Sequence, residues 1–389
     1  MFDDIRPYND SETSMALKRV SASPIIDPIS EFIFPGKDPE LLREQLRSIE
    51  GVSDFQIRIM SGVIASIISQ TTDGVECEGL EYFRRKLLLL SNHRDIVLDP
   101  AIIQLLLYQH NLPQSEIAVG DNLMVNSFVE DLIRSNRMIK VVRSDNPREV
   151  YTTSKVLSEY IRTKIASGES SIWLAHRNGR TKDGYDETEQ GLLKMLDMSG
   201  KGSFMDNFGE LGIMPVSISY EYEPCGVLKA VELWHKMVDG GYKKAENEDL
   251  TSMLTGIRQP KGRIHISFCR PVTEEELADA DSFSKNDKFR RLAEIVDSRI
   301  VPAFKLWPNN YIAAEILSEE SGCTMEHEAA GSSKIDFSEF YTDGQRKDFE
   351  EYAAESVASV SENIDVKQVR HLLLTMYANP VFRKTGKCR

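Results

Sequence analysis

Apolar and polar positions change register repeatedly along the chain, and each change marks an element. Residues 87–90 are four leucines, closed at once by Ser91-Asn92-His93. A short apolar run bounded by breakers predicts a buried strand over 87–91. A segment interrupted by Asp95 and Asp99 follows, then Pro100 and AIIQLLLY, which predict a helix over 100–110. The same reading places helices over 121–137, 154–165 and 187–198, and strands over 139–143, 171–176, 213–220 and 263–268. Strands alternating with helices predict an α/β fold, a mostly parallel sheet flanked by helices.

The flanks read differently. Through residue 50 the chain is polar and punctuated by prolines, and two helical pieces are expected there. Ser53 and Gln56 have the spacing of a capping box. Behind them Met60, Val63, Ile64, Ile67 and Ile68 form a stripe at helical spacing, which either packs a core or faces a membrane. After Pro271, helices are expected over 273–280, 287–306 and 340–361, with a loose polar stretch over 318–333. The basic end, FRKTGKCR, is either a frayed tail or a tether to anionic headgroups. The expected organisation is an N-terminal helical region at 1–80, an α/β domain at 81–270 and a helical C-terminal extension at 271–389.

Bulk properties narrow the classes. Of 389 residues, 41% are hydrophobic and 28% charged, an ordinary globular composition, and the net charge of −14 lacks the basic footprint of a nucleic-acid binder. Five scattered cysteines without CxxC or Cys/His spacing suit a reducing compartment and predict no metal site. The opening MFDDIRPYND is acidic and polar, unlike a signal peptide. No run reaches the ~18 apolar residues of a membrane span, so a cytoplasmic protein that touches membranes from one side is expected.

The predicted strands share a pattern at their carboxyl ends. One runs into His93, one into Arg143, and one into His176 followed by Arg177, Asn178, Gly179, Arg180, Thr181, Lys182, Asp183 and Gly184. In a right-handed parallel sheet these ends gather in one crevice. An imidazole there is a general base near neutral pH, and an aspartate on its other nitrogen would fix the tautomer. Arg143, Arg177, Arg180 and Lys182 could clamp a phosphate. Gly179 and Gly184 would let the backbone approach a ligand. Each piece alone is equally a solvated turn; three in register with three strands make a site.

These residues resemble the glycerolipid acyltransferase family, the glycerol-3-phosphate and 1-acylglycerol-3-phosphate acyltransferases. Asn92-His93 through Asp99 resembles its first block, and Gly120-Asp121-Asn122-Leu123 the G-x-N-L before its second. The apolar run ending at Arg143 resembles the second block, 172–184 the third, and Ile213-Met214-Pro215-Val216 the fourth. The likeness covers about residues 80–270, with all blocks in order. The family places four residues between His and Asp. Here Asp95 has one between and Asp99 has five, which makes Asp99 the favoured partner and Asp95 the fallback. Asn178 stands where the family usually has glutamate.

The resemblance implies an enzyme of phospholipid biosynthesis. His93 would deprotonate an acceptor hydroxyl that attacks the thioester of acyl-CoA or acyl-carrier protein, with no bound cofactor. The acceptor would be glycerol 3-phosphate or lysophosphatidate, its phosphate held by Arg143 and the segment Arg177–Lys182. No G-x-S-x-G elbow supplies a serine nucleophile instead. Alternatives are an O-acyltransferase for an amino-acid-containing lipid, and a non-catalytic lipid- or acyl-carrier-binding relative. In either enzyme reading the protein is expected to dock peripherally on the inner face of a membrane.

Overall fold

The structure, a computed structural model, describes residues 2–321 and 336–385. Among the described residues seven strands form one sheet: β1 (Val75–Glu78), β2 (Leu88–Ser91), β3 (Glu116–Gly120), β4 (Met138–Val141), β5 (Ile172–Ala175), β6 (Ile213–Tyr220) and β7 (Ile264–Phe268). Their order is β1-β7-β6-β2-β5-β3-β4. β6, β2, β5, β3 and β4 run parallel; β7 turns antiparallel to β6 and carries β1 parallel to itself. The sheet is therefore mostly parallel with helices on both faces, and five carboxyl ends lie along one edge.

The leucine run sits in the middle of this sheet for a physical reason. Side chains alternate faces along a strand, and both faces of β2 are covered, so leucine fills positions 88, 89 and 90 alike, up to the buried Ser91 at the strand's end. Leu87 and Leu89 join a core with Phe55, Ile64, Ile102 and Val216, while Leu88 and Leu90 join one with Ile161, Phe208 and Val296. A third core ties the helix Gly226–Val238 to Pro308–Ser321, Asp343–Ala358 and Val366–Thr385.

Several elements differ from expectation. Three helices, Asp10–Ala22, Ile26–Ile33 and Pro39–Arg47, occupy the region where two pieces are expected, and β1 falls before residue 81. Ser53 is not a cap: the helix begins at Val52 with Gly51 at its N-cap, and the Ser53 hydroxyl accepts from Arg137 Nη2 at 3.0 Å. A 3₁₀ turn, Asp121–Leu123, takes the start of the segment read as helix over 121–137, leaving the helix Ser127–Ser135, and β3 lies just before it where no strand is expected. Most of the loose stretch, residues 322–333, and the end of the basic tail, 386–389, lie outside the described residues.

Val52–Thr71 is one continuous helical stretch of 20 residues with mean hydropathy 1.2, long and apolar enough by length and composition to cross a membrane. That corrects the expectation that no stretch qualifies. Phe55, Ile59, Val63, Ile64 and Ile67 along it are buried in the core shared with the sheet. The stripe of apolar residues thus packs a core.

Candidate active site

β2 delivers His93 to the carboxyl edge, and the strand end is pinned first. The Asn92 amide donates to Ile218 O at 3.0 Å and accepts from Ile218 N at 2.8 Å, a side chain acting as one more ladder rung against β6. His93 Nδ1 then meets Asp99 Oδ2 at 2.8 Å. Its side chain is 14% exposed, so an edge of the ring stays accessible while Asp99 is wholly buried. The ring packs edge-on to Trp173, with centroids 5.5 Å apart.

Asp99 lies in the first turn of the helix Leu98–Gln109, where a carboxylate is favoured by the helix dipole. Besides His93, its Oδ2 accepts the amides of Arg94 at 2.6 Å and Asp95 at 3.0 Å, and Oδ1 accepts the Tyr220 hydroxyl at 2.7 Å. Burial and the neighbouring Asp99 carboxylate hold the Tyr220 hydroxyl far above its ordinary pKa, so it remains a donor. Asp95 does different work. Its Oδ1 accepts the amides of Val97 at 2.9 Å and Leu98 at 2.7 Å, which closes the start of the helix. The fallback pairing of Asp95 with His93 is therefore corrected: that carboxylate is turned to the backbone.

The segment after β5 folds back over β2. Thr181 N donates to His93 O at 2.8 Å, which ties the backbone of this turn to the end of β2. Arg180 Nη1 is buried with no hydrogen-bond partner among the described residues, and Asp95 and Asp249 are carboxylates that act on this guanidinium. Arg143 is exposed on the same edge; its Nε and Asn122 Oδ1 both crowd the face of Gly120, at 2.6 and 2.3 Å from where a Cβ would stand. β4 is three places from β2, about 14 Å at the backbone, and folding back over Gly120 brings that guanidinium inward to the end of β3.

The other predicted phosphate ligands point elsewhere. Lys182 is paired with Glu232 of the helix Gly226–Val238. Arg177 Nη1 donates to Tyr185 O at 3.4 Å within its own turn. Asn178 is exposed, and its backbone N–H donates to Glu189 Oε2 at 3.1 Å. Gly179 and Gly184 both have φ of 78°, but Gly184 serves close contact with protein: a Cβ there would stand 2.0 Å from Met376 O. Of the cations in RNGRTKDG, Lys182 is paired within the protein, while Arg177 Nε and Arg180 Nη1 are buried with no partner among the described residues.

A buried ionic cluster behind His93 is not visible in the sequence pattern. Arg94, 1% exposed, reaches Asp186 at 2.5 Å and Glu223 at 3.2 Å. Lys229 bonds Glu223 at 2.6 Å and Arg94 O at 2.7 Å. Among the described residues no group of three or more His, Cys, Asp or Glu is placed to hold a metal ion.

Residues 74–219, from the approach to β1 almost to the end of β6, match the family model described as Acyltransferase. That segment is similar to the acyltransferase family. Dihydroxyacetone phosphate acyltransferase of Bos taurus is 26% identical over 258 residues, covering 61% of this chain and 36% of that protein. The Homo sapiens protein of the same name is 24% identical over 255 residues, again 61% and 36%. The match spans little more than a third of these relatives' length. The solved 1-acyl-sn-glycerophosphate acyltransferase of Thermotoga maritima aligns with a TM-score of 0.37 at 14% identity, over 73% of this chain and 91% of that one. His93, Asp99, Arg143 and Arg180 all fall inside the acyltransferase-family segment, whereas Glu223, Lys229 and the last helix lie beyond it.

Proposed function

We propose that this chain moves a fatty acyl group from a thioester, acyl-CoA or acyl-carrier protein, to a hydroxyl of glycerol 3-phosphate, lysophosphatidate or a similar phosphorylated acceptor. The observation that carries this reading is the His93–Asp99 pair with one ring edge accessible. Asp99 accepting from Nδ1–H leaves Nε2 as the base. Nε2 takes the acceptor hydroxyl proton as that oxygen attacks the thioester carbon. The tetrahedral intermediate then expels the thiolate, which the imidazolium protonates. Ester and free thiol are the products, and no acyl-enzyme forms. Arg180, with Arg143 across the edge, receives the acceptor phosphate.

One observation favours a second acceptor class. With Lys182 paired to Glu232 and Arg177 held in its own turn, fewer cations face the crevice than a phosphate clamp would use. An amino-acid-containing lipid acceptor fits that smaller set. Thiol release by the purified chain, measured with acyl-CoA and acyl-carrier thioesters against phosphorylated and unphosphorylated acceptors, separates the two. Release dependent on a phosphorylated acceptor supports the first reading; release only with the unphosphorylated one supports the second. No release with any pair overturns both in favour of a non-catalytic binding role.

The acceptors are lipids or lipid precursors, so we also infer peripheral docking at the cytoplasmic face of a membrane. Exposed Ile25, Phe32 and Leu41 on the N-terminal helices, and Leu250 and Leu254 on the helix Glu248–Arg258, support it. Co-flotation with liposomes tests it; recovery of all protein in the soluble fraction overturns it.

A further inference from the structure

Asp99 fixes the His93 ring, but something must also fix the backbone that carries it. The residues on either side of His93 converge on one distant carboxylate. Asn92 Nδ2 donates to Asp186 Oδ2 at 3.0 Å, and Arg94 Nη2 donates to the same oxygen at 2.5 Å. The other oxygen, Oδ1, accepts the Thr181 hydroxyl, and Thr181 N in turn donates to His93 O at 2.8 Å. Three links thus run from Asp186 to Asn92, to Arg94 and, through Thr181, to the carbonyl of His93 itself. Burying a carboxylate and a guanidinium together contributes little net stability, since an apolar cluster of the same shape would hold the fold as well. What such a cluster supplies is a defined geometry.

The loop that carries Asp186 is clamped from outside the acyltransferase-family segment. The helix Val366–Thr385 lays Met376 O against Gly184, and Asn379 Nδ2 donates to Asp183 O at 2.7 Å. Its Tyr377 hydroxyl accepts from Glu223 N at 2.7 Å, and Glu223 holds the other end of Arg94 at 3.2 Å. The last helix therefore grips the cluster at both ends, at the Asp183–Gly184 turn and at Glu223.

We propose that Asp186 is a positioning residue that fixes the main chain of His93 for proton transfer, and that the C-terminal helix Val366–Thr385 holds it in place. This rests on His93 being the base. Displacing a catalytic group by about an ångström can cost on the order of 10²-fold in rate, so Asp186 acts on turnover through His93 while touching neither substrate.

The test is a double-mutant cycle on the full chain, read by thiol release with acyl-CoA and the acceptor found active. Asp186→Asn strands Arg94 in the interior and could unfold the protein, so the cycle uses Thr181→Val. That change deletes the hydroxyl bonded to Asp186 and keeps the amide bonded to His93. Thr181→Val alone is expected to lower kcat by roughly 10-fold with KM for both substrates within twofold. Asn379→Ala is expected to do the same more weakly. In the His93→Ala background, adding Thr181→Val should change the residual rate by less than twofold, because there is no imidazole left to misplace. An equal fractional loss in both backgrounds, or no loss in the single variant, overturns the proposal. If His93→Ala turns over like the wild type, the base assignment fails first and takes this proposal with it, an outcome distinct from a silent Thr181→Val.

Discussion

His93 Nδ1 and Asp99 Oδ2 are 2.8 Å apart although five residues separate the two in the chain. The intervening residues make a tight turn in which Asp95 caps the helix and Asp99, in its first turn, faces back to β2. Two aspartates close in sequence are thereby given separate tasks.

That division predicts opposite outcomes for two isosteric changes. Asp99→Asn removes the acceptor that fixes the ring tautomer, and kcat should fall by about 10²-fold or more. Asp95→Asn keeps an oxygen for the amides of Val97 and Leu98, and asparagine caps a helix as well as aspartate. Burial, with the charge of Asp99 nearby, pushes the Asp95 carboxyl above its ordinary range, so neutralising it costs the fold little. Turnover within about threefold of wild type and an unchanged melting temperature are expected. Matched kinetics of the two variants check this.

Arg180 and Lys182 sit two residues apart and should also separate. Arg180→Met is expected to raise KM for a phosphorylated acceptor by about 10-fold, the loss of one charge-assisted contact. Lys182→Met should leave that KM alone and cost about 1 kcal/mol of stability, because Glu232 keeps Lys236 at 2.8 Å as a second partner. Acceptor titrations and denaturant unfolding read the two effects.

Two glycines with the same φ of 78° offer an internal comparison. Gly179→Ala meets nothing within 4 Å and should lose only the ~1 kcal/mol of a strained backbone. Gly184→Ala meets Met376 O at 2.0 Å and should lose at least twice that, since the helix Val366–Thr385 must be pushed away. Their unfolding midpoints, measured side by side, test how firmly that helix is seated.

His176 sets a pH dependence. It is wholly buried, with Nδ1 3.2 Å from the Thr188 hydroxyl, and burial pushes its pKa down to about 3 against the favourable pull of Asp186. Arg177, Arg383 and Arg94 add to the depression. A base whose pKa is lower folded than unfolded takes up a proton on unfolding, so stability falls as pH drops from about 6.5 toward 3 and levels off below it. His176→Gln removes this group while leaving the buried carboxylates in place. The stability difference between pH 7 and pH 4.5, from denaturant melts, should be smaller in the variant by at least 1 kcal/mol.

Much of the sheet is legible in the sequence because its strands are buried on both faces. Leu88–Ser91 and Ile213–Tyr220 are buried along their whole length and rich in apolar residues, and β6 spans the residues expected of it. β3, Glu116-Ile-Ala-Val-Gly120, opens on a carboxylate that is buried only because Tyr160 donates to it at 2.6 Å, a contact 44 residues away that no local pattern carries. The antiparallel turn of β7 rests on pairing with β6 across two intervening helices, which apolar alternation cannot specify.

The site divides along the same line. Strand ends place His93, Arg143 and the turn after β5 on one edge, and that follows from topology. Which cation of the turn is taken up within the protein is decided by a partner far along the chain, Glu232 for Lys182, and the turn itself is shaped by Met376 against Gly184. Arg94, Asp186 and Glu223 read as ordinary surface charges until the fold buries them together.

The central claim is that the His93 imidazole is the base of a thioester-to-hydroxyl acyl transfer, and one substitution tests it. His93→Ala should lower kcat for thiol release by ~10²–10⁴-fold, with the melting temperature and acyl-CoA binding close to wild type. Turnover within a few-fold of wild type, in a variant shown to be folded, would contradict the account.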